Sequence, residues 1–294
     1  MRSMGQPCRR NSKTLRNRSP SPYNSPMQLK LSKMTGAGND FVVADNRGGG
    51  FPIDVSTIAR ICDRRFGVGA DGVLLVEPSK NADFFMRYYN ADGSEAEMCG
   101  NGARCIARYF VERCGSGSRK LKFETKAGLI EATVLGEQVR LKMSEPRDLS
   151  LRKTVQLKSG PREYHFINTG VPHAVFFSQD ADAEMVGPVG AEVRYHKDFA
   201  PRGTNVDWVQ LLGGTAIRVR TYERGVEAET LACGTGVVAS AIVAHLVHNV
   251  AKPVNVTVQS GRHLQVDFTP ASATFRDVFL TGPAEFVFET TLPG

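Results

Sequence analysis

From Gln28 onward, apolar and polar residues alternate in short runs separated by glycine-rich turns. LKLSKM, FVVADN, GVLLVE, DFFMRYYN, LKFETKAG, LIEATVL, QVRLKMS, TVQLKS, YHFINTG, HAVFFS, TNVDWVQLL, AIRVRTYE, VNVTVQ, HLQVDF and EFVFET are rich in β-branched and aromatic residues and read as strands. Three stretches have helical spacing instead. Ile53 to Phe66 carries Val55, Ile58, Ala59 and Cys62 on one face, while Asn101 to Cys114 and Thr235 to Val247 are rich in Ala and aliphatic residues. The last two each open just after a Cys-Gly pair. Many strands with few helices predict an α+β fold and argue against a doubly wound parallel sheet.

One internal echo organises the chain. Residues 95–105 read EAEMCGNGARC and residues 228–239 read AETLACGTGVVA. Both place an acidic residue shortly before a Cys, then Gly-x-Gly opening a helix. Each follows a strand and a turn: FFMRYY with Asn90 to Gly93, and IRVRTY with Glu223 to Gly225. Cys99 and Cys233 lie 134 residues apart, close to half the body. The economical reading is two pseudo-symmetric domains, each with a strand, a turn, a Cys and a helix.

Composition changes little in this picture. The 294 residues carry a formal charge of +7, but six basic residues and no acidic one fall within 1–27. The rest holds 31 basic against 30 acidic residues. The basicity therefore belongs to a tail and says little about what the folded body binds. That tail is rich in Arg, Ser and Pro, and is expected to be disordered. It fits a solvated extension or an organelle transit peptide. Six cysteines without a CxxC are too sparse for a disulfide scaffold, so a reducing, cytosol-like compartment is expected. No run of 18 apolar residues is present, and no membrane association is expected.

Each copy of the echo offers chemistry. A Cys at a helix start faces unpaired N–H groups and the positive end of the macrodipole, which is expected to lower its pKa from about 8.5. The glycines allow close approach to the backbone, so the same turn can hold a carboxylate. One such copy alone would pass as an inert Cys at a helix cap. Two related by a pseudo-twofold could flank one substrate carbon, one thiolate taking an α-proton while the other thiol returns one to the opposite face.

Six segments in order carry a family resemblance: MTGAGNDFVVADN (34–46), RRFGVGADGVLLVE (64–77), YNADGSEAEMCGNGARCIARY (89–109), GVPHAVFF (170–177), GTNVDW (203–208) and YERGVEAETLACGTG (222–236). Together they resemble diaminopimelate epimerase from about residue 28 to the C-terminus. The resemblance implies two domains, each a curved, mostly antiparallel sheet wrapped around a central helix. Residues 28–146 plus 282–294 would form the first and 147–281 the second. It implies a cofactor-independent, homodimeric, cytoplasmic epimerase that interconverts LL- and meso-diaminopimelate for lysine and peptidoglycan synthesis; were the tail a transit peptide, the place would be a plastid. The catalytic cysteines would be Cys99 and Cys233, with His173 and Glu223 tuning them. Substrate contacts would fall on Asn39, Asn90, Gly100, Asn101, Asn205, Glu223, Arg224, Gly234 and Thr235. The better-known pattern has Gln at Gly72 and Asn at Val171, and its Glu-Arg-Gly to Cys stretch is one residue shorter.

Other chemistries fit less well. Gly67 to Gly72 is a formal GxGxxG, but it has a helix before it and a strand after, the reverse of a dinucleotide site. Gly234 to Ala239 opens a helix, yet the following strand ends without Asp or Glu. Cys99 with Cys105, and His245 with His248, do not complete a tetrahedral metal set, so no metal is expected. No basic–aromatic interleaving suggests nucleic acid. Two rivals stay open: another two-cysteine racemase, such as one acting on proline or hydroxyproline, and a non-catalytic binder on the same scaffold. Arg224, Asn205 and Asn90 favour a longer substrate, and simple binding has no need of two thiols.

Overall fold

The computed structural model describes residues 28–271 and 274–293, so the reading of residues 1–27 as a tail lies outside the described residues. The first half contains β1 (Gln28–Gly36), β2 (Asn39–Asp45), helix α1 (Val55–Cys62), β3 (Gly72–Glu77), β4 (Phe84–Asn90) and a two-residue β5 (Glu95–Ala96). Helix α2 (Gly100–Arg113), β6 (Lys120–Thr125), β7 (Gly128–Leu135) and β8 (Gln138–Lys142) follow. The second half runs β9 (Arg147–Leu157), β10 (Gly160–Asn168), β11 (Pro172–Ser178), α3 (Val186–Arg194), β12 (Asn205–Gly213), β13 (Ala216–Glu223) and β14 (Ala228–Thr230). It continues through α4 (Gly234–His248), β15 (Val254–Thr257), β16 (His263–Pro270) and β17 (Phe275–Pro283), and β18 (Glu285–Pro293) ends the chain.

The pairings repeat. In order, β18, β1, β2, β3, β4, β6, β7 and β8 pair as antiparallel, antiparallel, parallel, antiparallel, parallel, antiparallel, antiparallel. β9 to β13, then β15 to β17, give the same sequence of senses. β18 thus takes in the first half the place that β9 takes in the second. β8 pairs with β17 and joins the two sheets. This is the expected α+β architecture of two pseudo-symmetric units.

Each sheet closes on one helix. Met34, Phe41, Leu74, Phe84 and Phe123 pack on Ala103, Ile106 and Phe110 of α2. Val175, Val209, Val219, Val256 and Phe268 pack on α4, which is buried without a break from Gly236 to Ala244. A helix buried on all sides has no polar face, hence its run of small and aliphatic residues, in which Ser240 is the single polar side chain. Each buried aliphatic side chain contributes about 1.5–3 kcal/mol. Helices α1 and α3 cover the outer sheet faces, α1 through Ile58 and Ile61 and α3 through Val186 and Val193 against Trp208.

Helices α1 and α3 and strand β17 are among the elements that differ from the sequence expectation. Helix α1 is shorter than 53–66, because Asp63 Oδ1 accepts from the N–H groups of Arg65 and Phe66 (2.7 and 2.8 Å) and turns the chain. Helix α3 was not expected, since Gly187, Pro188 and Gly190 weaken its local signal. It sits between β11 and β12 as α1 sits between β2 and β3, so the repeat itself was the missed signal. Strand β17 was also missed. Asp277 has a φ of 48° and breaks the period of two, so Phe275, then Val278 and Leu280, face the core.

Candidate active site

Cys99 and Cys233 occupy the N-cap positions of α2 and α4 in extended backbone, and neither makes a side-chain capping bond. The N–H groups of Asn101 and Gly102 favour the thiolate at Cys99, as that of Gly236 does at Cys233. The two helix starts meet. Asn101 Nδ2 donates to the carbonyl of Ala232, the residue before Cys233 (3.3 Å), and to Asn39 Oδ1 (2.5 Å). Glu223 stands at the end of β13, and its charge disfavours the thiolate at both cysteines.

The electrostatics correct one expectation. Burial pushes the Cys99 thiol up; the N–H groups of Gly102 and Asn101 oppose this, Glu223 adds to it and Arg104 opposes it. Burial pushes Cys233 far up, with the Glu223 and Asp207 carboxylates adding to it and the Thr235 hydroxyl and Gly236 N–H opposing. The helix N-termini do favour thiolate, as expected, but desolvation outweighs them. Burial also raises Glu223. Cys62 and Cys105 are pushed up by burial to about 11 and about 12, as befits small apolar packing residues.

Around Cys233 the buried polar groups form a chain. His173 Nδ1 lies 2.7 Å from Asp207 Oδ2, and its Nε2 lies 3.0 Å from Thr235 Oγ1. Thr235 Oγ1 is 3.5 Å from Cys233 Sγ. Thr221 donates to the other Asp207 oxygen (2.7 Å). Asn205 donates to the Pro172 carbonyl (3.1 Å) and accepts from the N–H of Arg224 (2.7 Å). Arg224 stands near Arg194 and Arg202, and among the described residues its guanidinium has no carboxylate partner.

Gly100 and Gly234 open the two helices. A Cβ at Gly100 would meet no other protein atom within 4 Å, so packing does not demand the glycine. A cavity of about 500 Å³ runs from Met98 and Gly100 past Met143 to Thr169, Val171 and Thr235, and thus touches both halves. Asn90 is held in its own turn, its side chain donating to Ser94 Oγ (3.1 Å).

Sequence reasoning missed Asp207, Thr221 and Tyr88. Asp207 and Thr221 sit at inward positions of strands that read as apolar alternation, and only the cross-strand register Asp207–Thr221 brings them together. Tyr88 explains Gly72. A Cβ at Gly72 would run into the Tyr89 carbonyl and lie 2.7 Å from Tyr88 Cε2. The Tyr88 ring occupies the space a side chain would need, and its phenol is electrostatically coupled to Cys99 and Glu223.

A family model described as diaminopimelate epimerase matches residues 31–148 and 165–287. The chain is 43% identical to a diaminopimelate epimerase of Aquifex aeolicus (strain VF5) over 277 residues, 90% of this chain and 98% of the other. It is 41% identical to one of Archaeoglobus fulgidus, covering 90% and 97%. Among solved structures, a phenazine biosynthesis protein of the PhzF family from Bacillus anthracis superposes with a TM-score of 0.69 at 16% identity, covering 90% and 99%. A probable proline racemase from Agrobacterium radiobacter K84 gives 0.65 at 18%, covering 90% and 92%. These two share the fold.

Proposed function

The chain belongs to the diaminopimelate epimerase family, enzymes that interconvert diaminopimelate stereoisomers, and we propose that it converts LL- to meso-diaminopimelate with two thiols. The carrying observation is the placement of Cys99 and Cys233 at two touching helix N-termini around one carboxylate, Glu223. One sulfur, as thiolate, removes the α-proton; the other, as thiol, delivers a proton to the opposite face. The developing negative charge spreads into the α-carboxylate, held by N–H groups at Gly100 and Asn101 and at Gly234 and Thr235. The open space over Gly100 suits such an approach.

In this reading Asn39, Asn90 and Asn205 contact the substrate, and Arg224, free of a carboxylate partner, forks onto the distal carboxylate. His173 and Glu223 set the protonation of the thiols. Residues 28–146 with 282–294, and 147–281, are the two domains, a division supported by the repeated strand order. No cofactor or metal is called for. A cytoplasmic homodimer is part of the proposal, supported by the family resemblance; gel filtration checks the dimer.

Proton NMR of the reduced protein with LL-diaminopimelate in D2O is expected to show loss of the α-proton signal together with the meso isomer. Cys99→Ala and Cys233→Ala are each expected to lower turnover by several orders of magnitude with an unchanged melting temperature. A fully active single variant would sink the two-thiol mechanism. Exchange with proline or hydroxyproline but not diaminopimelate would overturn the substrate.

A further inference from the structure

Strand registers place the two halves in residue-by-residue correspondence. Phe41 pairs across with Gly72 as His173 does with Asn205. Leu74 faces Tyr88 as Asp207 faces Thr221, and Tyr88 faces Ala96 as Thr221 faces Thr230. Each cysteine follows three residues after that last position. The helix side agrees independently: a Cβ added at Gly102 would press on Leu74, and one at Gly236 would run into Asp207. His173, Asp207 and Thr221 therefore stand where the first half has Phe41, Leu74 and Tyr88. Phe41 and Leu74 are fully buried core residues, and Phe41 packs edge-on against Tyr88 at 6.0 Å.

We propose that Asp207 is the positioning residue of a one-sided proton relay, Asp207–His173–Thr235–Cys233, with no counterpart at Cys99. This rests on the two-thiol reading above and makes the thiols unequal. Asp207 and His173 are both fully buried, so the 2.7 Å contact fixes the ring: Nδ1 carries the proton and donates to the carboxylate. Nε2 is then an acceptor, which fits its two neighbours, the Thr235 hydroxyl at 3.0 Å and the Asn205 amide at 3.5 Å. The Cys233 proton passes to Thr235 Oγ1 as the Thr235 hydroxyl proton passes to His173 Nε2. The products are a Cys233 thiolate and a His173 imidazolium held by the Asp207 carboxylate, with no change in total charge. This is the logic of a buried acid orienting a histidine base, with a hydroxyl inserted before the sulfur.

On the other side, the Asn101 amide stands where Thr235 does, and Asn39 and Arg104 hold it, Arg104 donating to Asn101 Oδ1 at 2.9 Å. Neither amide can take up a proton. The charged or titratable groups facing Cys233 are Glu223 from β13, Asp207 from β12 and His173 from β11; those facing Cys99 are Glu223, Tyr88 and Arg104.

Asp207→Asn separates the possibilities by sign. Through space, the Asp207 charge disfavours a Cys233 thiolate, so a purely electrostatic or packing role predicts faster alkylation when it is neutralised. A relay role predicts slower alkylation, because the imidazolium loses its partner. The measurement is the rate of iodoacetamide labelling of each cysteine against pH, read by peptide mass spectrometry without substrate. Cys233 labelling at neutral pH is expected to fall by about tenfold or more, with Cys99 unchanged. Unchanged or faster Cys233 labelling, or equal slowing of both thiols, overturns the proposal. If Asp207→Asn does not fold, Thr235→Val against Thr235→Ser decides: only the valine is expected to slow Cys233, and equal rates overturn the relay. No substrate enters the readout, so its failure is distinct from failure of the epimerase assignment.

Discussion

At the scale of single residues, the site is governed by competition between burial and hydrogen bonding. Each cysteine sits at a helix start, where the backbone favours thiolate, yet desolvation raises both thiols. Glu223 adds to the rise at both. Glu223→Gln removes that like charge, so both thiolates become easier to form. The acid limb of the kcat/KM–pH profile is expected to move to lower pH, and both cysteines to alkylate faster at pH 8. An acid limb that stays in place, or moves to higher pH, would count against Glu223 as the shared modulator. Cys99 and Cys233 were legible from a repeated local motif, whereas Glu223, His173, Asn205 and Thr235 were expected only through the family resemblance. Asp207 and Thr221 were not legible, because each looks like an ordinary strand residue until the register pairs them.

At the scale of elements, the glycines of the two helices do different work. A side chain at Gly236 would meet Asp207 and come within 3.2 Å of Thr221 Oγ1, while one at Gly100 meets no other protein atom within 4 Å. Gly236→Ala is expected to destabilise the protein by about 1–3 kcal/mol through overpacking. Gly100→Ala is expected to keep or raise the melting temperature and to raise KM for diaminopimelate. Thermal melts with steady-state kinetics check both; a Gly100→Ala variant with unchanged KM would remove the backbone from substrate binding. The same contrast explains what was readable. Gly-x-Gly after a Cys announces a helix start, but not which glycine is reserved for packing.

At the scale of the whole molecule, the chain crosses between its two units. β18 pairs with β1, and its far end lies beside the first described residue, Pro293 opposite Gln28. β9 and β10 are joined as a hairpin at the matching place, Leu157 opposite Gly160. Deleting residues 285–294 would strip β1 of one of its two partner strands and remove Phe286, which packs on the α2 core and under Arg113 at 4.2 Å. Loss of a soluble, cooperatively melting protein is expected, since the deletion breaks the β1–β18 ladder and uncovers the core under the half-buried Phe286 and Leu292, against a domain's net stability of only about 5–15 kcal/mol. A circular permutant that begins at Glu285 and joins Pro293 to Gln28 through a short turn is expected to fold and keep epimerase activity. Failure of that permutant, with the deletion tolerated, would show that β18 is not the structural stand-in for β9.

The sequence by itself determined the strands with unbroken alternation, the two cysteine-capped helices, the repeat and the family. The strands and helix starts depend on residues within a few positions of one another, where periodicity and capping act, while the repeat and the family show as like segments far apart in the chain. Tertiary structure decided the rest. It formed α3 from a weak local signal and let Asp277 shift β17 out of alternation. It also set the balance at each thiol, because desolvation depends on everything packed around a sulfur and not on its neighbours in the chain. The unequal surroundings of Cys99 and Cys233 belong to this second class: two nearly identical motifs were folded against different strands.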